Sequence, residues 1–120
     1  MFFLVLLFAL FMAISVWFIW TTIIGAPWIP TSMDVVKRMI ELADIQEEDV
    51  VIDLGSGDGR IIMAAAKEYK AKAIGIEADP LRLLWSRYRI RNKGLSKRST
   101  VLWGNFFDRD LGDATIVTVY

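Results

Sequence analysis

The chain has 120 residues, with 14 Lys and Arg against 14 Asp and Glu, so it lacks the overall basic field of a typical nucleic-acid-binding protein. It has no Cys, which excludes disulfides, thiolate metal sites and thiol nucleophiles, and no His, which excludes Ser-His triads, imidazole bases and the common zinc ligand sets. Apolar residues make up 55%, and the excess is local, because the first charged side chain is Asp34.

Residues 1–24 are apolar except for Ser15, Thr21 and Thr22. As a helix they would span about 36 Å, enough to cross a hydrocarbon core of about 30 Å with some tilt. Trp17, Trp20 and Trp28 are placed as an interfacial aromatic belt, and Gly25-Ala26-Pro27 is a stop for the helix. A cleaved signal peptide would begin with a basic stretch and carry a shorter apolar run. The expectation is therefore a retained single-pass membrane anchor over residues 1–24. The first flanking cations, Lys37 and Arg38, lie C-terminal to it and put the soluble part on the cytoplasmic side, or the matrix side in a mitochondrion.

Residues 25–31 read as a linker, because Pro27 and Pro30 each disfavour helix at the preceding residue. A single domain follows over residues 32–120. Thr31 or Ser32 can cap a helix with Val36, Met39, Ile40 and Ala43 on one face. Residues 50–54 (Val-Val-Ile-Asp-Leu) form a buried strand, and Gly55-Ser56-Gly57-Asp58-Gly59 a glycine turn. An Ala-rich helix covers residues 61–69 and a second strand residues 73–77. Asp79 and Pro80 fit the N-cap and first position of a helix that ends before Gly94. Residues 100–103 and 114–120 read as two further strands. Strands alternating with helices imply a parallel α/β sheet with right-handed crossovers.

The chemistry concentrates at the glycine turn. Glycines permit positive φ and let a ligand approach the backbone, and the helix beyond offers free N–H groups to an anion. Glu77 lies 22 residues after Gly55, the interval at which dinucleotide folds place a carboxylate for ribose hydroxyls. The NAD fingerprint would need Gly or Ala where Arg60 stands, and no phosphate-binding P-loop string occurs. The pattern present is D-x-G-x-G-x-G.

This pattern resembles the first motif of class I S-adenosylmethionine-dependent methyltransferases, over roughly residues 27–120. The chain is most similar to two protein-lysine methyltransferase groups. One is the membrane-anchored family that includes the ATP synthase c-subunit lysine methyltransferase, which shares the apolar N-terminal segment, a P-x-[IV]-P stretch and D-L-G-S-G-D-G-R. The other is the nucleosome-core histone lysine methyltransferase class, similar at residues 53–57, 75–77 and 104–106. The resemblance implies a Rossmann-like sheet, S-adenosylmethionine as cofactor and a protein lysine as substrate. It implies that Gly55, Gly57 and Gly59, with Ser56 among them, line the methionine part and that Asp53 holds its amino group directly or through water. Glu77 would bind the ribose hydroxyls, with Ala78 beside the adenine. Asn105 stands where the superfamily usually has an Asp reading the adenine amine, and Phe106 would pack on the adenine face. No catalytic residue and no metal are implied.

Some assignments keep alternatives. Asn105 also suits a turn, and Phe106 and Phe107 also suit the core. Residues 27–30 are either a plain linker or, as the resemblance suggests, a cover over the substrate entrance. Residues 82–98 hold seven cations and no acid, which reads as a solvated helix face, attraction to anionic lipid, or nucleic-acid binding. A small-molecule or lipid methyltransferase and a non-catalytic tethered binding module are the alternative functions. Class I methyltransferases usually have strand order 3-2-1-4-5-7-6, and only 3-2-1-4 is expected here. An interior strand at residues 114–120 would be an exposed edge, so the chain is expected to be the N-terminal part of a longer protein.

Overall fold

The structure is a computed structural model that describes residues 1–24 and 28–119, and of Ile24 the backbone only. The helix stop expected at residues 25–27 and the strand end expected at Tyr120 lie outside the described residues. Helix α1 (Phe2–Ile24) is followed by α2 (Met33–Leu42), β1 (Val50–Leu54), α3 (Arg60–Tyr69), β2 (Lys72–Glu77), α4 (Pro80–Asn92), β3 (Ser99–Trp103), a 3-10 turn (Phe106–Asp108) and β4 (Ile116–Val119). The four strands are parallel in the order β3-β2-β1-β4, as the sequence implied.

Local chemistry sets these elements. Ser32 caps α2 by accepting from Val35 N, and Val36 and Ile40 one turn apart are buried. In α3 the run from Ile61 to Ala66 is buried throughout, and its three alanines let the helix lie close on β1 and β2. Asp79 caps α4 through Leu81 N and Arg82 N, with Pro80 in the first turn. The core joins α2, α3 and α4 to the sheet through Val36 and Ile40, Ile62 and Ala65, and Leu83 and Ile90, packed with Val51 and Val101.

Strand β4 starts later than expected. Ala114 N donates to Leu111 O at 2.8 Å and so closes a turn, which delays the strand to Ile116. Helix α1 is long and apolar enough to cross a membrane, and nearly every one of its side chains is exposed.

Between β1 and its two neighbours the chain changes direction: β2 and β3 lie on one side of β1, and β4 lies on the other. Ligands in open α/β sheets bind beyond the strands' carboxyl ends at such a switch point. Asp53, Glu77 and the glycine turn all fall there.

Candidate functional site

Three residues of the turn take left-handed backbone, with φ of 76° at Gly55, 55° at Gly57 and 78° at Gly59. A side chain would be strained at each. Gly55 N and Ser56 N both donate to Ile76 O, at 2.9 and 3.0 Å, so the turn is tied to the end of β2. That tie brings Glu77 beneath it.

Glu77 is almost fully buried, and its carboxylate faces the turn. Oε2 accepts from Gly57 N at 2.7 Å, Oε1 accepts from Asp79 N at 2.8 Å, and Arg82 Nη1 stands 3.8 Å from Oε1. Each oxygen retains a further lone pair for a ligand. Asp53, on β1, is paired in register with Thr118 of β4, whose hydroxyl donates to Asp53 Oδ1 at 2.7 Å. Burial pushes the Asp53 carboxyl up to about 7, against the pull of the Thr118 hydroxyl and with help from the charge on Glu77.

Asp58 is held differently. Burial raises its pKa, but the hydrogen bond and charge of Arg60, with the charge of Arg89, outweigh this and hold it below the usual carboxylate range. Arg60 Nη2 lies 2.8 Å and Arg89 Nη1 2.6 Å from Asp58 Oδ2. Arg60 Nη1 also donates to Thr31 O at 2.5 Å, which pins the linker to the turn. This cluster escapes sequence reasoning. Arg60 is legible only as a misfit to the NAD fingerprint, and Arg89 stands 31 residues from its partner.

These groups enclose a cavity of about 580 Å³, in the usual range for small-ligand sites. Eight of the nine residues singled out in the sequence line it: Asp53, Gly55, Ser56, Gly57, Glu77, Ala78, Asn105 and Phe106. Gly59 does not. It serves as N-cap of α3, and a Cβ there would meet Ser86 at 3.3 Å and Ile62 at 3.7 Å, so helix packing adds to the left-handed backbone in requiring glycine. Ser56 Oγ is buried and has no hydrogen-bond partner among the described residues. Asn105 lines the cavity and also caps the 3-10 turn, its Oδ1 accepting from Phe107 N at 3.1 Å. Its turn role is thus present, on a residue that also lines the cavity.

The core reading of the two phenylalanines does not hold. Phe107 is 81% exposed and Phe106 is half-buried, because the turn after β3 carries them over the cavity instead of under the sheet. Residues 28–31 are no plain linker either, since all four line the cavity. Trp28 lies over the turn, so that a Cβ on Gly57 would come within 2.6 Å of its Nε1. The Arg82 guanidinium sits 5.8 Å from the Trp28 ring centroid. Trp28 therefore belongs to this site and not to a belt with Trp17 and Trp20. Two buried carboxylates in an apolar cleft suit a ligand that carries a cation and paired hydroxyls.

The ANTKMT methyltransferase domain matches residues 53–120. A protein-lysine N-methyltransferase of Saccharolobus islandicus (strain REY15A) is 42% identical over 95 residues, which cover 78% of this chain and 59% of that protein. The ATP synthase c-subunit lysine N-methyltransferase of Xenopus laevis is 34% identical over 87 residues, covering 69% of this chain and 38% of that protein. Among solved structures, an RNA methyltransferase from Salinibacter ruber in complex with S-adenosyl-L-homocysteine superposes with a TM-score of 0.76 at 43% identity, over 77% of this chain and 60% of that one. The chain thus spans less than two thirds of the length of each of these relatives. With more than half of its own residues matched, it belongs to the ANTKMT methyltransferase domain family, among the class I S-adenosylmethionine-dependent methyltransferases.

Proposed function

We propose that this chain binds S-adenosylmethionine and acts in methyl transfer to a protein lysine side chain at a membrane. The observation that carries the reading is Glu77, buried beside the glycine turn with both oxygens anchored by backbone N–H groups. Its remaining lone pairs suit the two ribose hydroxyls. The rest of the cavity fits the same cofactor. Asp53 offers a carboxylate to an amino group, the unpartnered Ser56 Oγ offers a hydroxyl to the methionine end, and Phe106 and Ala78 offer apolar contact to a purine. Relatives crystallised with S-adenosyl-L-homocysteine support this choice.

When bound, S-adenosylmethionine supplies an activated methyl group on its sulfonium centre. The residues of this chain then have positioning work to do. Glu77 and Asp53 hold the two ends of the cofactor, and the glycine turn sets the depth at which it lies. Trp28 and residues 29–31, which line the cavity, would screen a bound cofactor from water on that side. A substrate lysine entering such a desolvated site has its pKa lowered, which favours the neutral nucleophile, so no imidazole base is required.

The membrane reading rests on α1. Its 23 residues expose Phe, Leu, Ile and Trp on all sides, which suits lipid and not water. In this reading α1 is a single-pass anchor, and Lys37 and Arg38 place the domain on the cytoplasmic or matrix side.

A second reading, RNA as substrate, is favoured by the Salinibacter ruber relative and by the seven cations at residues 82–98. One experiment weighs the two. The full chain is incubated with methyl-labelled cofactor, membranes and total RNA, and label is then traced. Recovery of methyl-lysine from protein is expected; label confined to RNA or to lipid would replace the protein substrate. Calorimetric titration should also register S-adenosylmethionine and not NAD, and the reverse would overturn the cofactor.

A further inference from the structure

Helix α4 presents an unusual outer face. Leu81, Leu84, Trp85 and Tyr88 are each more than half exposed. Their spacing of i, i+3, i+4 and i+7 puts them on one stripe, opposite the buried Leu83, Ser86 and Ile90. The Trp85 and Tyr88 rings stack with centroids 5.6 Å apart. A helix on the surface of a soluble domain normally turns polar residues outward here, so the stripe needs a partner.

Charge narrows the choice of partner. No Asp or Glu occurs from residue 80 to residue 107. Several cations of the region have internal duties: Arg82 faces Glu77 and Asp79, Arg87 donates to Val101 O, Arg89 pairs with Asp58, and Arg98 pairs with Glu47. Arg91, Lys93 and Lys97 form no ion pair among the described residues and lie exposed at the C-terminal end of the stripe. An apolar, aromatic stripe with a cationic border suits an anionic lipid surface.

Position supports the same partner. Trp17 Nε1 of α1 donates to Asp79 Oδ2 at 3.1 Å, and Asp79 is the N-cap of α4. Trp17 lies seven residues before the end of α1, about 10 Å along its axis. A spanning α1 of about 35 Å has about 5 Å beyond a 30 Å core, so Trp17 lies about 5–8 Å inside the hydrocarbon boundary. Its bond to Asp79 therefore holds the α4 cap against the bilayer and not clear of it, and the stripe begins two residues later. Trp and Tyr are residues that favour the interfacial layer.

We infer that the outer face of α4 docks on the bilayer, with Leu81, Leu84, Trp85 and Tyr88 in the interfacial layer and Arg91, Lys93 and Lys97 against anionic headgroups. The inference rests on α1 being a membrane span. It fixes the orientation of the domain, because α4 directly follows Glu77 at the cavity.

The chain has no Cys, so single thiols can be placed at will. Tyr88→Cys, Leu10→Cys in α1 and Lys67→Cys on α3 are each labelled with a polarity-sensitive fluorophore in the full chain. They are reconstituted into phosphatidylcholine vesicles with or without phosphatidylserine, and a lipid-borne quencher is added. Loss of fluorescence is expected at positions 10 and 88 and not at 67. At 88 it should weaken without phosphatidylserine, and likewise on changing Arg91, Lys93 and Lys97 to Gln, at roughly fivefold in surface affinity per base removed. Quenching at 10 with none at 88 would overturn the docking and leave the anchor intact. A blue-shifted but unquenched probe at 88 would mean a protein partner, such as a second copy, and would overturn it equally. No quenching at 10 would remove the anchor and the docking together.

Discussion

Replacing Glu77 with Gln keeps the side chain's shape and removes its charge. The carboxylate now accepts Gly57 N–H on one oxygen and Asp79 N–H on the other. Gln has a single oxygen, so its amide nitrogen must face one of those two donors. That donor is buried and loses its partner, which costs about 1–3 kcal/mol of stability. Binding suffers separately. Hydrogen bonds from ribose hydroxyls to a carboxylate are charge-assisted, and losing that assistance costs about 1.5–3 kcal/mol, or roughly a 10- to 150-fold weaker Kd. Calorimetry with S-adenosyl-L-homocysteine measures this on the full chain, below the variant's melting temperature. A second ligand isolates the contact: an analogue without the ribose 2′ and 3′ hydroxyls should bind wild type more weakly than the parent, and the variant about as well as the parent does. If Glu77→Gln binds the parent ligand like wild type, the carboxylate does not read the ribose. If the deoxygenated analogue loses as much affinity on the variant as on wild type, the hydroxyls are held elsewhere.

Gly57→Ala should lower the melting temperature and weaken cofactor binding, since φ is +55° and the new Cβ would lie 2.6 Å from Trp28 Nε1. The left-handed backbone costs about 1–2 kcal/mol. Adding Trp28→Ala should relieve the clash and leave that backbone cost, so a double variant no more stable than expected from adding the two effects would refute the contact. Gly75→Ala tests packing alone, because its backbone is ordinary and a Cβ would fall 2.6 Å from Ser56 Cβ and 3.2 Å from Ile62 Cδ1. Overpacking of this kind costs about 1–3 kcal/mol, and an unchanged melting temperature would show that the turn yields freely. Asp53 sets a pH dependence. Its carboxyl, raised to about 7, must shed a proton to receive a cofactor ammonium, so affinity should fall as pH drops below 7, up to tenfold per unit at the limit. Asp53→Asn should flatten that dependence, and a profile unchanged by the substitution would remove Asp53 from the ammonium. The same raised pKa means that the folded state binds more protons than the unfolded one between about 4 and 7. Through that window the Asp53 contribution to stability therefore declines as pH rises.

Features carried by neighbouring residues were legible in the sequence. The β-branched run at β1 ends at a glycine, the Asp79-Pro80 pair starts α4, and the acid at position 77 follows the glycine turn at a fixed interval. Each is local chemistry, and the family resemblance these features carry supplied the strand order and eight of the cavity's residues. Contacts closed by tertiary folding left no such trace. Thr118 finds Asp53 across 65 residues, Arg89 finds Asp58 across 31, and neither spacing has a period. Trp28 misled for a related reason. An aromatic residue after an apolar helix has the composition of an interfacial belt, and only the path of residues 28–31, pinned by Arg60 to Thr31 O, turns it onto the glycines. Phe106 and Phe107 misled because burial was inferred from residue type, whereas the Asn105-capped turn holds both rings at the cavity.

Asp79 links the two ends of this molecule. Its backbone N–H donates to Glu77 Oε1, one carboxylate oxygen caps α4 through Leu81 N and Arg82 N, and the other accepts the indole of Trp17. The side chain of α1 is therefore one residue removed from the group proposed to hold the ribose. A buried acceptor that loses one of three donors keeps the other two, so breaking the Trp17 bond leaves α4 capped and Glu77 anchored. What it releases is the angle between α1 and the sheet. Trp17→Phe should therefore leave cofactor affinity near wild type in detergent while lowering methyl transfer to a membrane-embedded substrate, because only the second depends on how the cavity faces the bilayer. Equal losses in both would mean that Trp17 shapes the cavity itself, and no loss in either would mean that α1 does not orient the domain.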